Sequence, residues 1–388
     1  MAIKRHQVLI AGAGPVGLGA ALFLRERHID VEVVDPAEGP SSDDLAVILH
    51  ADTLARLADH GVPIDVGREA RPVDTVAVYD HERRHATVDL GPGSPRCAAV
   101  LPLWLLCKKL EAALKQHGVK VAWNHRMTRF DVDNDGIHAQ VDLLEVDTTG
   151  YARMASEKIV ERSVVHEPTF LIGADGRESA VRTQARMGWH ATGQAEVIAA
   201  FEVDCALELG NEIRVVMNDG ATVLWPLPDG GVQVAFHLAP DAGLRPGAEA
   251  DAEDLMNLLR AHAPWVDLGV RRVRRGHVEL AEPAAADHDR KGYVWLLGDA
   301  AHTLPLTASQ SLNQGLRDAA LMAADLAYVL NGAAPAHHES LARAYVPSDR
   351  ADRFVQSSFA RILPALPALG AGLDPLARQL GLAPISPT

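Results

Sequence analysis

Residues 7–35 read QVLIAGAGPVGLGAALFLRERHIDVEVVD, and this stretch decides the fold. QVLIA is a short apolar run typical of a buried parallel strand, and the residues after it change to helical spacing. VEVVD is a second apolar run rich in branched side chains. We therefore expect a strand, a tight turn, a helix and a second strand, which together open a parallel α/β sheet.

The glycines of this turn indicate a nucleotide site. Gly12 permits a sharp turn, Gly14 leaves room for a pyrophosphate against the backbone, and Gly17 lets the helix approach the strand. The helix start favours an anion through its free N–H groups and its dipole. Asp35 ends the second strand, where a carboxylate can accept hydrogen bonds from a ribose diol. The pattern predicts dinucleotide binding, and the alternative is an ordinary strand–helix turn.

A second segment, LLGDAAHTLP at residues 296–305, favours FAD over NAD. It follows an apolar run and precedes a long alanine-rich segment with helical spacing. The first glycine turn alone fits either nucleotide. A carboxylate at Asp299 can hold hydroxyls of a ribityl chain, which FAD has and NAD lacks. We therefore expect the two distant segments to form one FAD site.

A third segment, TFLIGADGRESAVR at residues 169–182, reads as a strand that ends at Asp175 and Gly176 and leads into a helix containing Arg182. The ordered trio GxGxxG, GADGxxSxVR and GDAAHxxP, followed by N-x-G-x-x-D-A, resembles the single-component flavin-dependent aromatic hydroxylases. This family includes p-hydroxybenzoate hydroxylase and the ubiquinone-pathway hydroxylases. The resemblance covers residues 7–345.

The resemblance implies an α/β fold, α+β overall, in which a Rossmann-like FAD-binding domain is interrupted by a β-sheet substrate domain and followed by a C-terminal helical segment. It also implies a monooxygenase that uses FAD, NADH or NADPH, and O2. In such enzymes a C4a-hydroperoxyflavin hydroxylates a small molecule, here expected to be aromatic or polyketide-like.

Site residues follow from the same resemblance. Residues of the first turn and Asp35 would hold the ADP half of FAD, and Asp299 would hold the ribityl and pyrophosphate region. Asp175 would serve both FAD and NAD(P)H, while the segment after Pro305 would lie by the isoalloxazine ring. The complete set is Gly12, Gly14, Pro15, Val16, Gly17, Asp35, Asp175, Gly298, Asp299, Pro305, Ser311, Leu312 and Asn313.

Four positions depart from the family pattern. Ser309 and Ser311 stand where the loop before the flavin-facing helix usually has glycines, so that loop should follow a different path. Leu45 and Leu103 stand where many relatives have arginines near the cofactor, which predicts weaker FAD retention. The alternatives are therefore a flavin oxidoreductase of the same fold without oxygen insertion, and a degenerate FAD-binding protein with a non-catalytic role. A flavin halogenase is disfavoured because the chain has no W-x-W-x-I-P segment.

Alternating strands and turn signals between the motifs predict that both domains are discontinuous. The expected FAD-binding domain comprises residues 1–72, 97–190 and 281–345, and the β-sheet substrate domain comprises residues 73–96 and 191–280. Residues 346–388, which are apolar at helical spacing but interrupted by prolines, are expected to form C-terminal helices.

Composition limits the partners. A formal charge of −14 over 388 residues disfavours nucleic acid and anionic lipid. The three cysteines, Cys97, Cys107 and Cys205, lack metal-site spacing and fit a reducing cytoplasm. We expect no export signal, no membrane contact, no bound metal, and a monomer or homodimer.

Individual side chains allow only weak assignments. His50, Trp225 and His237 are candidates to face the substrate, although a structural role is the alternative for each, and no general base is assigned. His302 is expected to position neighbouring groups, and Asp318 to pair with or cap them. Arg271, Arg272, Arg274 and Arg275 could attract an NADPH phosphate, but solvated arginines on a strand are the favoured interpretation.

Overall fold

The computed structural model describes residues 3–40, 45–80, 82–89, 98–133, 136–146, 158–217, 221–303 and 310–331. Pro305, Ser309 and the C-terminal helices expected over residues 346–388 lie outside these ranges.

Among the described residues, strands and helices alternate at the beginning of the chain, whereas the middle of the chain forms mostly strands. The strands are β1 Ile3–Ala11, β2 Val31–Asp35, β3 Ala46–Leu49, β4 Arg71–Val73, β5 Thr75–Asp80, β6 Arg83–Asp89, β7 Ala98–Pro102, β8 Ala122–Trp123, β9 His125–Val132, β10 Ile137–Val146, β11 Lys158–Gly173, β12 Trp189–Ala191, β13 Glu196–Asp204, β14 Glu212–Met217, β15 Ala221–Pro226, β16 Val232–Leu238, β17 Arg272–Ala281, β18 Ala284–Ala286, β19 Arg290–Lys291, β20 Val294–Leu296 and β21 His302–Thr303. The helices are α1 Pro15–Arg25, α2 Ala51–Asp59, α3 Leu103–Gln116, α4 Ala180–Gln184, α5 Ala252–His262 and α6 Gln310–Leu330, with a 3₁₀ turn at Gly298–Ala300.

The largest sheet has the order β19-β20-β11-β1-β2-β8, and β10 and β9 extend it from β11. Strands β20, β11, β1, β2 and β8 are parallel. The chain passes from β1 to β2 on one side and reaches β11 on the other side much later. The carboxyl ends of β1 and β11 therefore border a topological switch point, where open α/β sheets bind their ligands.

Helices α1, α3 and α6 cover one face of this sheet and form a continuous apolar core with it. In α1, Leu18, Leu22 and Phe23 are fully buried, and burial of each such side chain contributes about 1.5–3 kcal/mol. Gly19 allows α6 to pack closely, because a Cβ built there would lie 2.7 Å from Cδ2 of Leu316. The GAGPVG segment is thus held between the sheet and α6.

A second sheet of seven strands has the order β17-β13-β16-β15-β14-β5-β6. Its pairings are antiparallel except for β14 with β5. Alternate residues of β13 face different neighbours: Phe201 joins the core formed with α5, whereas Ile198 and Ala200 pack with Leu45 on the other face. Because successive side chains of a strand point to opposite faces, one face of this sheet lies against the segment that leads into β3.

Two three-stranded sheets, β3-β7-β4 and β12-β18-β21, complete the arrangement. Residues of β3, β4 and β7 share a core with β5, β14 and β15. Strands within residues 75–89 and 196–281 thus contribute to the seven-stranded sheet, while the division of the chain into two domains stays a prediction. Among the helices that the structure describes, none is both long and apolar enough to cross a bilayer.

Candidate functional site

Three sequence motifs meet where parallel strands end. The N–H of Ala174 donates to the carbonyl of Ala11 at 2.8 Å, and the N–H of Leu297 donates to the carbonyl of Gly173 at 2.9 Å. These bonds continue the pairing of β1 with β11 and of β11 with β20 by one residue. The GAGPVG, GADG and GDAAH segments, which are far apart in sequence, are therefore neighbours at one edge of the sheet.

Glycine is required at two positions of the first turn. Gly12 has a φ of +107°, and a Cβ built there would lie 2.2 Å from the carbonyl oxygen of Ala174. At Gly17 a Cβ would lie 2.1 Å from the carbonyl oxygen of Gly12. Gly14 differs, because a Cβ built there meets nothing within 4 Å. Space is therefore left beside Gly14, at the point where the motif predicts a pyrophosphate.

Helix α1 begins at this open position. Gly14 is its N-cap, Pro15 is its first residue, and no side chain caps its N-terminus. The first turn also contains no acidic side chain. Uncapped N–H groups and the positive end of the helix dipole can therefore bind a phosphate.

Asp35 is fixed beside the same loop. Its Oδ2 accepts a hydrogen bond from the N–H of Ala13 at 2.7 Å, and its Oδ1 accepts one from the N–H of Ala37 at 2.8 Å. Because a carboxylate oxygen can accept more than one hydrogen bond, Asp35 keeps the capacity to bind a diol.

Asp175 and Arg182 link the second motif to the third. Oδ2 of Asp175 accepts a hydrogen bond from the N–H of Val181 at 3.1 Å, whereas its Oδ1 is buried without a partner among the described residues. The buried guanidinium of Arg182 donates to the carbonyl of Ala300 at 3.0 Å and lies 3.9 Å over the ring of Trp189. Burial lowers the pKa of Arg182, and Asp175 partly opposes that change.

Asp299 lies in the turn that follows β20. Its side chain reaches the surface, yet the surrounding protein desolvates the carboxyl and raises its pKa. A hydrogen bond from the Ser311 hydroxyl lowers the pKa, and so do the nearby His302 and Arg177. The combination of access and desolvation indicates a carboxylate in concave surroundings.

Gly298 and Val16 bring this turn against the first motif. Gly298 has a φ of +58°, and a Cβ built there would lie 3.1 Å from Cγ2 of Val16. Gly315 of α6 lies on the same side chain, since its Cβ would be 2.6 Å from Cγ2 of Val16. Val16 thus acts as a spacer between the two glycine segments.

His302 and Asp318 form a polar pair next to this turn. Nε2 of His302 lies 3.1 Å from Oδ2 of Asp318, and Gln314 donates to the other carboxylate oxygen at 2.8 Å. The pairing agrees with the positioning roles that the sequence suggests for His302 and Asp318.

Asn313 connects α6 to the segment between β3 and α2. Its Nδ2 donates to the carbonyl of Ile48 at 2.8 Å, and its Oδ1 accepts from the N–H of His50 at 2.9 Å. Asn313 and His50 are both buried. The Asn313 side chain therefore fixes the start of α6, while its predicted proximity to the isoalloxazine ring stays a prediction.

Leu45 and Leu103, which depart from the family pattern, both make packing contacts. Leu45 lies against Ile198 and Ala200 of the seven-stranded sheet. Leu103 begins α3, and it packs against the core of the large sheet. Apolar contacts thus occupy both positions where the family resemblance predicts an arginine.

The seven-stranded sheet presents titratable side chains toward this region. Ile198 is opposite His237 in β16 and opposite Glu279 in β17, so both side chains share its face. Nδ1 of His237 lies 3.0 Å from Oε2 of Glu196. Burial raises the pKa of Glu279, His277 and His237 oppose this, and Asp299 raises it further.

Glu279 was not among the predicted site residues. Its electrostatic link to Asp299 joins the sheet to the GDAAH turn, and no local motif marks that relationship. The alternation of β17 could have indicated which face Glu279 occupies, but not what lies opposite.

Trp225 also lies on a buried face of this sheet. It packs with Ile48 and Val223, and its indole Nε1 is buried without a hydrogen-bond partner among the described residues. Arg274 binds Asp204 and Asp229, Arg271 donates to the carbonyl of Cys205, and Arg272 also lies near Asp204.

The fold and the site define a dinucleotide-binding protein with three motifs at one sheet edge. Residues 5–353 match the family model of the FAD binding domain. The chain therefore belongs to this FAD-binding family, and the predicted family and fold are confirmed.

Curated relatives are named as monooxygenases and hydroxylases. The chain is 29% identical over 394 residues to a 6-methylpretetramide 4-monooxygenase of Streptomyces rimosus, with 97% of this chain and 65% of the relative covered. It is 27% identical over 323 residues to a 3-demethoxyubiquinol 3-hydroxylase of Escherichia coli, with 80% and 77% covered. The 3-(3-hydroxy-phenyl)propionate/3-hydroxycinnamic acid hydroxylase of a Mycobacterium species is covered over only 55% of its length. The chain thus spans between about half and two thirds of several relatives.

Solved structures share the fold. A p-nitrophenol 4-monooxygenase from Pseudomonas putida gives a TM-score of 0.70 at 20% identity, with 99% of this chain and 100% of that chain covered. Aklavinone-11 hydroxylase, solved with FAD and aklavinone, gives a TM-score of 0.68 at 22% identity, with 86% and 64% covered.

Proposed function

We propose that the protein is an FAD-dependent monooxygenase that uses NADH or NADPH and O2 to hydroxylate an aromatic or polyketide-like small molecule. The observation that carries this proposal is the meeting of the GAGPVG, GADG and GDAAH segments at one sheet edge. The hydroxylase and monooxygenase names of the relatives support the reaction class.

The residues present fit the cofactor. The open position at Gly14 and the uncapped start of α1 suit the pyrophosphate. Asp35 would accept hydrogen bonds from the ribose, and Asp299 from the ribityl hydroxyls. The unpartnered Oδ1 of Asp175 supplies a further acceptor beside these groups. Bound FAD, once reduced by NAD(P)H, would supply the activation of O2.

Ser311 would keep Asp299 ready to accept hydrogen bonds. Burial favours the neutral carboxyl, whereas the Ser311 hydroxyl stabilises the ionised one. The serine thus compensates part of the desolvation at the carboxylate. This gives the departure from the glycine pattern a chemical role at the cofactor.

Apolar contacts would exclude water between the sheet and the cofactor region. Leu45, Ile198, Ala200 and Ala235 pack together on the inner face of the seven-stranded sheet, which is the face that carries Ile198. Such a wall would keep water from the reacting oxygen and so limit the release of hydrogen peroxide in place of hydroxylation.

His237 and Glu279 are the best substrate-side candidates, because both side chains lie on the inner face and the charge of Asp299 raises the pKa of Glu279. A phenol could donate to Glu279 or accept from the imidazole of His237. His50 and Trp225 are buried in packing positions, and their predicted substrate contacts stay proposals.

The test is oxidation of NADH and NADPH by the FAD-loaded protein, measured with a panel of phenols and polycyclic aromatic substrates. Faster oxidation together with a hydroxylated product supports the proposal. Oxidation that yields only hydrogen peroxide with every compound contradicts it.

A second candidate is oxidation or reduction on the same fold without oxygen insertion. Leu45 favours it, because an apolar side chain packs where the family resemblance predicts an arginine near the cofactor. Substrate turnover under strict anaerobiosis, with FAD reduced or reoxidised by the substrate alone, would support this candidate. A purified protein that takes up no FAD would support a non-catalytic role.

A further inference from the structure

Three side chains with metal-binding atoms meet on the large sheet, away from the nucleotide motifs. His6 comes from β1, Glu32 from β2 and His166 from β11, and their ligand atoms all lie within 4.8 Å of one another. Nδ1 of His166 is 3.2 Å from Oε2 of Glu32, and Nε2 of His6 contacts the same oxygen. One carboxylate oxygen thus lies between two imidazole rings.

The cluster is separate from the predicted cofactor site. His6 precedes Gly12 by six residues along a strand, which corresponds to about 20 Å. Glu32 lies in β2 ahead of Asp35, the residue at the motif end of that strand. The cluster therefore belongs to the opposite end of the parallel strands.

The buried side chain of His166 indicates a missing ligand, because well-formed hydrogen bonds do not account for its ring nitrogens. The side chain is 1% exposed, and neither ring nitrogen has a hydrogen bond of suitable geometry among the described residues. Buried imidazole nitrogens without a well-formed hydrogen bond are costly, because they lose water without a full replacement. Nδ1 faces the carboxylate of Glu32 at 3.2 Å, and a metal ion bound at Nδ1 would replace that contact with a bond.

His6 has the second partner typical of a metal-bound histidine. While Nε2 faces Glu32, Nδ1 lies 3.1 Å from Oδ2 of Asp30. Histidines that bind metal usually donate their other N–H to a carboxylate, which fixes the ring and its tautomer. Asp30 is in the right place for this role.

The donor set and charge suit a divalent transition metal. The other carboxylate oxygen of Glu32, Oε1, accepts a hydrogen bond from Lys4 at 2.8 Å, which leaves Oε2 facing the two imidazoles. Two imidazoles and one carboxylate are typical ligands of Zn²⁺ with an open fourth position. Ligand atoms around tetrahedral Zn²⁺ are about 3.4 Å apart, which small side-chain movements reach from the observed spacing.

We propose that His6, Glu32 and His166 form a site for a divalent transition-metal ion of the Zn²⁺ class. The ion would link β1, β2 and β11 at the end of the sheet remote from the cofactor. Binding would displace any proton on the two imidazoles and would involve no redox change.

The experiment is calorimetric titration of the full-length, tag-free, metal-free protein with Zn²⁺, with Co²⁺ absorption as a second readout. We expect one equivalent of Zn²⁺ to bind, a visible Co²⁺ spectrum of low coordination number, and a higher melting temperature in Zn²⁺. His6→Ala and Glu32→Gln should each weaken binding more than about tenfold. Both positions are partly exposed, so both variants should fold, which equal FAD content would verify.

His138→Ala is the matched control, because His138 also lies beside acidic groups, Asp133 and Glu167, but outside the cluster. It should bind Zn²⁺ as the unaltered protein does. The proposal is overturned if the unaltered protein binds no Zn²⁺, or if His6→Ala and Glu32→Gln bind it as tightly as His138→Ala. The first result would leave the cluster as an ion pair between histidines and Glu32.

Discussion

The hydroxyl of Ser311 donates a hydrogen bond to the carboxylate of Asp299. The two residues come from different elements, the start of α6 and the turn after β20. Ser311, which departs from the family pattern, thus contacts Asp299, the carboxylate proposed to bind the ribityl chain.

Ser311→Ala should weaken FAD binding by about tenfold, or about 1.4 kcal/mol, because Asp299 loses the hydrogen bond that stabilises its ionised, hydroxyl-binding form. Loss of the hydroxyl also raises the pKa of Asp299 further. The ionised carboxylate binds hydroxyls best. As the pH is lowered, the variant should therefore release FAD at a higher pH than the unaltered protein does. FAD fluorescence titration across pH checks this.

Ser163→Ala provides a matched control for this substitution. Ser163 also donates to a carboxylate, Oδ1 of Asp142 at 2.6 Å, but on β11 within the far part of the sheet. Its removal should leave FAD affinity unchanged. Equal FAD affinity in both serine variants would contradict the proposed role of Ser311.

Asp299→Asn should separate stability from cofactor binding. The folded-state pKa of Asp299 is raised, mainly by burial. A raised carboxyl pKa gives stability that is present below the unfolded pKa and lost as the pH rises through the folded one. The FAD-free variant should therefore unfold at higher urea than the FAD-free parent at pH 7, yet bind FAD at least about tenfold more weakly. A less stable variant with normal FAD affinity would refute the assignment.

Gly12→Ala and Gly14→Ala should fail in different ways. At Gly12 the positive φ and the contact with Ala174 should destabilise the fold by about 2–5 kcal/mol. At Gly14 the added methyl meets no protein atom. The Gly14 variant should fold normally but lose more than about tenfold in FAD affinity, since the methyl occupies the phosphate position. Thermal unfolding and FAD titration of both variants measure the contrast, and unchanged FAD binding by Gly14→Ala would count against the site.

Arg182→Met should destabilise the protein by about 2–4 kcal/mol, because its buried guanidinium bonds the carbonyls of Ala300 and Arg177. The substitution keeps apolar contact with Trp189 but leaves these carbonyls unpaired. Urea unfolding of the FAD-free protein checks the loss. A midpoint equal to that of the unaltered protein would show that the two motifs are held together by other contacts.

Sequence reasoning predicted the parts of this site that local chain geometry determines. The conformations of Gly12 and Gly17 and the position of Asp35 follow from a strand, a turn and a helix that are consecutive in sequence. The meeting of the first motif with Asp299 was predictable because both follow parallel strands and one cofactor needs both.

Other relationships could not be predicted, because they depend on how distant elements pack. The bond from Arg182 to Ala300, the clamp of Asn313 on His50, and the approach of Glu279 to Asp299 all join segments whose relative placement only the tertiary fold defines. Ser311 was recognised as a departure, but its partner was not. The pairing of His6 and His166 with Glu32 likewise depends on strand order.

His237→Ala and Glu279→Gln test the substrate-side proposal. Each should raise KM for an accepted substrate about tenfold or more, corresponding to about 1.4 kcal/mol. FAD affinity and the rate of NAD(P)H oxidation without substrate should remain unchanged. If KM is unaffected in both variants, the inner face of the seven-stranded sheet does not bind the substrate.

The most direct test of the central claim is incubation of the FAD-loaded protein with NAD(P)H, a substrate that stimulates its oxidation, and ¹⁸O-labelled O2. Mass spectrometry should find one labelled oxygen atom in the organic product. A product without label, with the labelled oxygen recovered only as hydrogen peroxide or water, would contradict the assignment as a monooxygenase.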